Sequence, residues 1–587
     1  MSGNPPERRC WTAPEAALLL AALASPAWLL AAILRLGVDT PYMDQWEVEP
    51  LFAHLRAGSL SLSDLLALQN ESRMVVPRLV FLALGVPTGW NLRLEMLPGF
   101  ALACFNAAAL YRLDRGALGG PRVGALGRLA LSSFLLFGPI QYENWFWGHQ
   151  VAIFIPVSCL LGTLLVARGQ AGPGVKIGFA AALALVATFS FANGMLLWLL
   201  APAALLLDPA GSTLRKRKYA ALWCALAILA LGVYFGGYAR PENQHGMGEA
   251  PILDVPLYFL ALLGSPLGQG VGWTGFEASV GFGAAAVALF AGAAALLLRL
   301  RFDAALLAGG APFLLLGAYS LVTAAAPTAG RSGSGLAFAL SPRYATNAVL
   351  LSVSLVHLLG LLLPAAAREG TLRLTPARAA GVAAALATAA LFAGFLTSSR
   401  AMLRAENWRV RRLEGRACLA FLDIAPNETI LRTHVYPDLE VLRERAREAD
   451  RLGLLRPALV RPEALPHLLG GAADRASGSF HQASPEGDAV RCGGKALLPR
   501  RGEPADGVLV GFIGGDGLPR VLAVAQTSKI RVTIDPPTAD FRRHEEWECR
   551  IPQASIPPEI RNLRAWAYDA VEGRAFPLPG APAVPRR

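Results

Sequence analysis

Two carboxylates and two arginines stand out because of where they fall. Tyr42-Met43-Asp44-Gln45-Trp46 follows the first long apolar run, and Gln69-Asn70-Glu71-Ser72-Arg73 comes just before the next apolar segment, Val75–Val86. Charge placed at a membrane surface is costly unless it does something. Asp44 could act as a general base toward an acceptor hydroxyl, or hold a divalent cation. Its plain alternative is a solvated loop acid, or a cap for a helix starting near Gln45. Glu71 could join Asp44 as a divided acid or metal site, and such an oxygen pair suits Mg²⁺ or Mn²⁺ better than a closed zinc cage. Arg73 and Arg78 frame the segment that follows. They read either as substrate-binding groups or as arginines near lipid headgroups beside a capped helix start.

Two further stretches carry polar chemistry. Gln141–Gln150 is dense in aromatic and polar side chains. Glu143 and His149 could complete a site there, or orient a sugar ring on Trp145 or Trp147; an interfacial aromatic belt is the alternative. Ser341-Pro342-Arg343-Tyr344 precedes another apolar run. The planar fork of Arg343, beside Tyr344, suits a phosphate. Arg331, in a Gly/Ser-rich loop able to close over a substrate, and Arg240 could assist. No Walker A loop, G-x-S-x-G elbow, H-E-x-x-H pair or zinc spacing occurs.

The elements that must position these residues are helices in lipid. The 587-residue chain is 54% hydrophobic and only 16% charged, against about 25% charged in soluble domains. Apolar runs near 14–35, 94–112, 125–141, 150–167, 176–192, 195–207, 219–237, 278–298, 304–325, 346–364 and 379–397 give about eleven expected spans. Val75–Val86 is interrupted by Pro77 and Arg78 and reads as interfacial. With that reading, basic loops such as 112–128, 168–176 and 368–378 share one side, which the positive-inside rule makes cytoplasmic. The centres of the spans read as almost free of charge. The net charge of +12 follows this topology and does not indicate nucleic acid as a partner.

The expected organisation is a transmembrane domain, 1–400, whose outer loop 36–93 carries interfacial helices. Tyr42 and Trp46 suit that interface. A soluble extracytoplasmic domain, 401–587, follows. In it, helices are expected at Ala401–Leu422 and Pro437–Leu452. Strand-like runs at Val508–Ile513, Val521–Ala525, Ile530–Ile534, Trp547–Ile551 and Leu563–Tyr568 suggest a small β-sandwich. Cys104, Cys159 and Cys224 read as packing residues, and Cys492 with Cys549 is the better candidate for a disulfide if the tail lies outside the cytoplasm. Arg8-Arg9 before Ala16–Leu34 resembles a signal peptide, but the run is long enough to be an uncleaved first span.

The order Asp44-Gln45-Trp46, Asn70-Glu71-Ser72-Arg73, Pro77-Arg78-Leu79 resembles that of GT-C-type integral membrane glycosyltransferases. The group includes protein O-mannosyltransferases and aminoarabinose transferases, and the pattern is closest to multi-span bacterial members. The resemblance covers roughly residues 10–400. It implies a multi-pass helical protein of the bacterial cytoplasmic (inner) membrane, with its N-terminus inside and its C-terminal domain outside. It also implies a catalytic acid in the first outer loop, here Asp44, and a sugar donor on polyprenyl phosphate drawn from the membrane lipid. The acceptor would be a glycan or another envelope component. Gln45 follows Asp44 where many relatives carry a second acid, and Ser72 stands where related chains often carry His. Both departures weigh against a metal. The competing expectations are a transporter or flippase of lipid-linked sugars, and a non-catalytic envelope assembly protein.

Overall fold

The computed structural model describes residues 11–118, 121–206, 217–239, 247–272, 274–299, 304–369, 375–469, 477–527 and 545–585. Arg240 and the expected strand Ile530–Ile534 lie outside them. The chain divides into two compact units, each interrupted in sequence. The first is Met1–Arg35, Ser61–Val80 and Leu94–Met402; the second is Leu36–Leu60, Phe81–Arg93 and Leu403–Arg587. Loop 36–93, expected wholly within the membrane domain, is thus shared between the units.

The first half of the chain forms α1 (Ala13–Leu36), α2 (Glu49–Arg56), α3 (Leu62–Leu66), α4 (Val75–Thr88), α5 (Leu92–Leu118), α6 (Arg122–Leu136), α7 (Tyr142–Phe146) and α8 (Val151–Arg168). Then come α9 (Pro173–Thr188), α10 (Leu197–Leu206), α11 (Arg217–Phe235), α12 (Asp254–Gly268), α13 (Phe276–Arg299), α14 (Ala304–Arg331), α15 (Ala345–Arg368) and α16 (Pro376–Ala420). Among the described residues, nine helices are long and apolar enough to cross a membrane: those containing α1, α5, α6, α8, α11, α13, α14, α15 and α16. At a rise of about 1.5 Å per residue, each reaches across a hydrocarbon core of roughly 30 Å. Their outward faces carry large apolar side chains such as Leu20, Ile228, Leu229 and Phe392. Such a surface would be a liability in water and is ordinary in lipid.

Three expectations about these helices need correction. The runs near 176–192 and 195–207 form α9 and α10, with 16 and 10 residues, both shorter than a full crossing. The expected outer loop 238–277 contains the 15-residue α12. Gly264 and Gly268 of α12 bring its backbone against Ser279 of α13, and Gly283 of α13 admits Leu260; a side chain at these glycines would collide with backbone. Small residues that allow helices to touch are the usual packing device in membranes. Finally, the span near 379–397 and the helix expected at Ala401–Leu422 are one 45-residue helix, α16, in which the unit boundary falls.

The second unit continues with α17 (Glu428–His434), α18 (Leu439–Arg451) and α19 (Leu465–Leu468). The α18 helix is amphipathic. Leu439, Leu442, Ala446 and Ala449 are buried, and Asp438 caps its N-terminus by accepting from Glu440 N and Val441 N. A two-residue hairpin in the first unit supplies β1 (Leu68–Gln69) and β2 (Ser72–Arg73). The C-terminal strands are β3 (Gly478–Glu486), β4 (Ala489–Leu498), β5 (Glu503–Pro504), β6 (Gly507–Ile513), β7 (Pro519–Ala525), β8 (Glu546–Pro552), β9 (Arg564–Asp569) and β10 (Arg574–Pro577). They make two antiparallel sheets, β10-β9-β6-β7 and one in which β4 pairs with β3, β5 and β8. Val490, Cys492, Val508, Val510, Trp547 and Ala567 from both sheets close one core. The small all-β element expected from the strand spacing is therefore present; β3, β4, β5 and β10 were not anticipated. Cys492 and Cys549 are register partners across β4 and β8, both as free thiols.

Candidate functional site

In the first unit, the stretch 69–73 is a tight hairpin rather than a helix start. Leu68 pairs with Arg73 and Gln69 with Ser72, and Asn70 takes φ +52°. Asn tolerates that left-handed conformation, as two-residue hairpin turns require. Glu71 is thereby placed at the tip. Its carbonyl accepts from the Tyr234 hydroxyl at 2.7 Å, and Ser72 Oγ accepts from Ala192 N at 3.1 Å.

Arg73 and Arg78 hold this hairpin. Arg73 donates from Nε to Tyr234 O at 2.6 Å and from its two Nη atoms to Leu66 O and Gly236 O. Arg78 Nη1 donates to the carbonyls of Leu65 at 2.8 Å and Ala67 at 2.6 Å, closing the end of α3. Both side chains are buried. Their guanidinium groups position Glu71 through the backbone; they do not stand ready for a substrate.

The Glu71 side chain meets α14. Its Oε1 lies 3.5 Å from Arg331 Nη2, and both side chains are about one-third exposed, at 39% and 33%. Arg343 lies over the rings of Phe338 and Tyr344, at 5.2 and 5.7 Å from their centroids. Tyr344 is within electrostatic reach of Arg343, Arg331, Glu71 and the Tyr258 hydroxyl of α12. The result is a cluster of two guanidiniums, one carboxylate and two tyrosines. Such a set can hold an oxyanion while leaving a carboxylate to take a proton.

The aromatic stretch 141–150 braces this cluster. Asn144 Nδ2 donates to Arg343 O at 3.0 Å and to Thr346 Oγ1 at 2.7 Å, and Thr346 Oγ1 donates to Gln141 Oε1 at 2.7 Å. Trp145 is core: its indole donates to Gly138 O at 3.2 Å, and it packs on Phe137 and Phe154. It does not present a face for a sugar. His149 is buried, stacks on Trp147 at 5.4 Å, and lies 3.5 Å from Gln69 Nε2 at the base of the hairpin. Glu143 is half-buried on the first turn of α7.

Asp44 belongs to the second unit. It is half-buried in the 3-10 turn Met43–Val48, where Met43 has φ +43° and its N–H donates to Val435 O at 2.8 Å. The turn is anchored by side chains from the C-terminal part of the chain. Glu47 accepts from the Tyr436 hydroxyl at 2.8 Å and pairs with Arg445 at 2.8 Å. Burial, and then Glu47, push the Tyr436 hydroxyl up to about 12; Asp44 adds to the shift. Tyr42 lies under the Arg412 guanidinium at 3.6 Å and meets the edge of Trp408. Trp46 is fully buried against Trp90. The interfacial expectation is thus corrected for Trp46, which packs inside protein, whereas Tyr42 is half-buried.

A third constellation went unread in the sequence. Asp114, near the end of α5, accepts two hydrogen bonds from Arg128 of α6, at 2.9 and 2.8 Å. His357, in the middle of α15, lies with Nδ1 3.1 Å from Asp114 Oδ1 and Nε2 3.1 Å from Ser132 Oγ. Asp114, His357 and Ser132 are essentially inaccessible. Phe313 stacks on the imidazole at 4.4 Å, and Gly360 leaves room for the Arg128 stem. A lone His in an apolar run was the available signal. Asp114 and Arg128 read as loop charges because they flank a helix junction.

No three or more His, Cys, Asp or Glu side chains gather as metal ligands among the described residues. The Glu71 carboxylate is paired with the Arg331 guanidinium. Compared with known proteins, the chain matches no family model, no curated protein and no solved structure.

Proposed function

We propose that this chain is a membrane glycosyltransferase of the outer face of the bacterial cytoplasmic membrane, using a sugar carried on polyprenyl phosphate. One observation carries the reading: the Glu71–Arg331 ion pair stands with Arg343 and Tyr344 at the ends of apolar helices. A lipid donor needs apolar surface for its tail and cations for its phosphate; α14 and α15 supply the first, and Arg331 and Arg343 the second. In the transfer, the acceptor hydroxyl loses its proton to a carboxylate and its oxygen forms a bond to the anomeric carbon. The bond from that carbon to the phosphate oxygen breaks, and the lipid phosphate leaves with the electron pair. Two guanidiniums stabilise the developing charge. Glu71 is the candidate base in this cluster, and Asp44 is the candidate in the second unit.

The test is mass spectrometry of envelope glycans in cells lacking the gene, complemented with the native chain, Glu71→Gln, Arg343→Gln or Asp44→Asn. The native copy should restore a sugar that Arg343→Gln and at least one carboxylate variant do not. An unchanged glycan profile on deletion would refute the reading.

A second reading, a transporter or flippase of lipid-linked sugars, is favoured by the Asp114–Arg128–His357 network. Ionisable groups buried among membrane helices commonly mark transport pathways. A third, a non-catalytic assembly protein, would leave every one of these variants functional.

A further inference from the structure

The second unit contains an open groove of about 900 Å³ between α2 and α18. A groove of that size holds a small organic ligand. Its walls are mostly charged. Glu49, Pro50, Ala53 and His54 come from α2, and α18 contributes arginines and glutamates along the face that includes Val441, Glu444, Arg445, Glu448 and Arg451.

Four glutamates and four arginines line the groove, but the arginines are answered mostly from outside it. Each groove arginine already has a carboxylate. Arg443 pairs with Glu428 at 3.5 Å and Arg445 with Glu47 at 2.8 Å. Arg447 pairs with Asp423 at 2.7 Å, and Arg451 Nε donates to Glu448 at 2.8 Å. Three groove carboxylates remain without an ion pair among the described residues: Glu49, Glu440 and Glu444. Glu440 and Glu444 are exposed. Glu49 is not. It is 3% exposed, and its Oε1 is buried with no hydrogen-bond partner. An unanswered carboxylate oxygen in such a place is costly, and native folds seldom leave one unless something binds it.

We infer that this groove binds an organic cation bearing a primary ammonium group, with Glu49 as its counter-ion and Glu440 and Glu444 flanking it. An anion is disfavoured because no groove arginine is uncommitted. A metal ion is disfavoured because the described residues gather no group of three ligands. An ammonium supplies both the charge and the N–H donors that Glu49 Oε1 lacks.

The surroundings add a pH signature. Burial, then Glu448 and Glu444, push the Glu49 carboxyl up to about 7, against the opposing pull of Arg445. A cation binds the ionised form, so affinity should rise through neutral pH. Lining charges on both helices bear on this: His54 on α2, and Glu440, Arg443, Glu444, Arg445, Arg447, Glu448 and Arg451 on α18.

The experiment is isothermal titration of the full-length protein in an uncharged detergent with 1,5-diaminopentane. Its neutral analogue 1,5-pentanediol is the control. The diamine should bind and the diol should not. Affinity should increase about tenfold from pH 6 to pH 8, the change expected for one ionising group near 7. It should do so in His54→Gln as well. Glu49→Gln should weaken binding at least tenfold and remove the pH dependence. The exposed Glu444→Gln should weaken it less. Absence of diamine binding, equal binding of the diol, or full affinity in Glu49→Gln would each overturn the inference.

Discussion

His357 Nδ1 lies 3.1 Å from Asp114 Oδ1, although 243 residues separate the two in the chain. The contact ties α15 to α5, and Arg128 of α6 completes it from the other side of the carboxylate. Three helices are thus joined by one inaccessible acid. Removing the acid leaves a guanidinium and an imidazole without their acceptor. Breaking a buried pair from one side typically costs about 3–5 kcal/mol. Asp114→Asn should therefore lower the thermal unfolding temperature in detergent markedly, and His357→Gln, which leaves the Arg128 pair intact, should lower it less. Equal stability of native and Asp114→Asn protein would show that the network does not hold the helices.

The Glu71 cluster makes a kinetic distinction. If Glu71 takes the acceptor proton, Glu71→Gln should reduce kcat by about 10²–10⁴ with little change in KM for the lipid donor. If Arg343 holds the donor phosphate, Arg343→Gln should instead raise KM for the donor, because such a contact is made before the reaction as well as during it. Reconstituted transfer assays that varied donor concentration would separate the two. Identical kinetic signatures for both variants would contradict this division of roles.

Glu49 bears on stability with an unusual sign. Its carboxyl is raised in the folded protein, so between about 4.5 and about 7 the folded state holds more proton than the unfolded one. Stability from this group is therefore full below about 4.5, falls as pH rises, and levels off above about 7. The cost at high pH is on the order of 3 kcal/mol at most. Glu49→Gln should accordingly raise the melting temperature at pH 8 and leave it nearly unchanged at pH 5. A uniform effect at both would contradict the assignment.

Cys492 and Cys549 face one another across β4 and β8. Treatment of the full chain with diamide, a small thiol oxidant that is itself reduced to the hydrazine, should give an intramolecular disulfide detectable by non-reducing peptide mapping. Cys492→Ser should abolish it. Cross-linking to Cys418 instead would mean that the strand register is not held in solution.

Much of the scaffold could be read from local sequence. Ala13–Leu36 is a long apolar stretch, and such a stretch must become a helix in lipid whatever its neighbours do, because backbone groups there have no other partner. The strands β6, β7, β8 and β9 were similarly legible from short runs bounded by turn residues. The α12 helix was not. Its burial depends on glycines that mean nothing until α13 lies across them. Residues 176–192 were apolar enough for a span, yet the helix there stops at Thr188, and Ser190 and Ala192–Leu196 turn the chain back.

The candidate site divides in the same way. That Glu71, Arg343 and Tyr344 are polar residues set beside apolar runs was legible. That Arg73 and Arg78 serve the backbone, that Trp145 is core, and that Asn144 donates to the Arg343 carbonyl were not. Residue type fixes what a side chain can donate or accept, and hydropathy fixes which segments enter lipid, so the sequence by itself determined a multi-span protein with a β-rich tail. Which carbonyl, ring or counter-ion each polar group meets depends on distant chain brought close by packing. Only the tertiary structure could pair Glu71 with Arg331, join Asp114 to His357, and leave Glu49 unanswered in its groove.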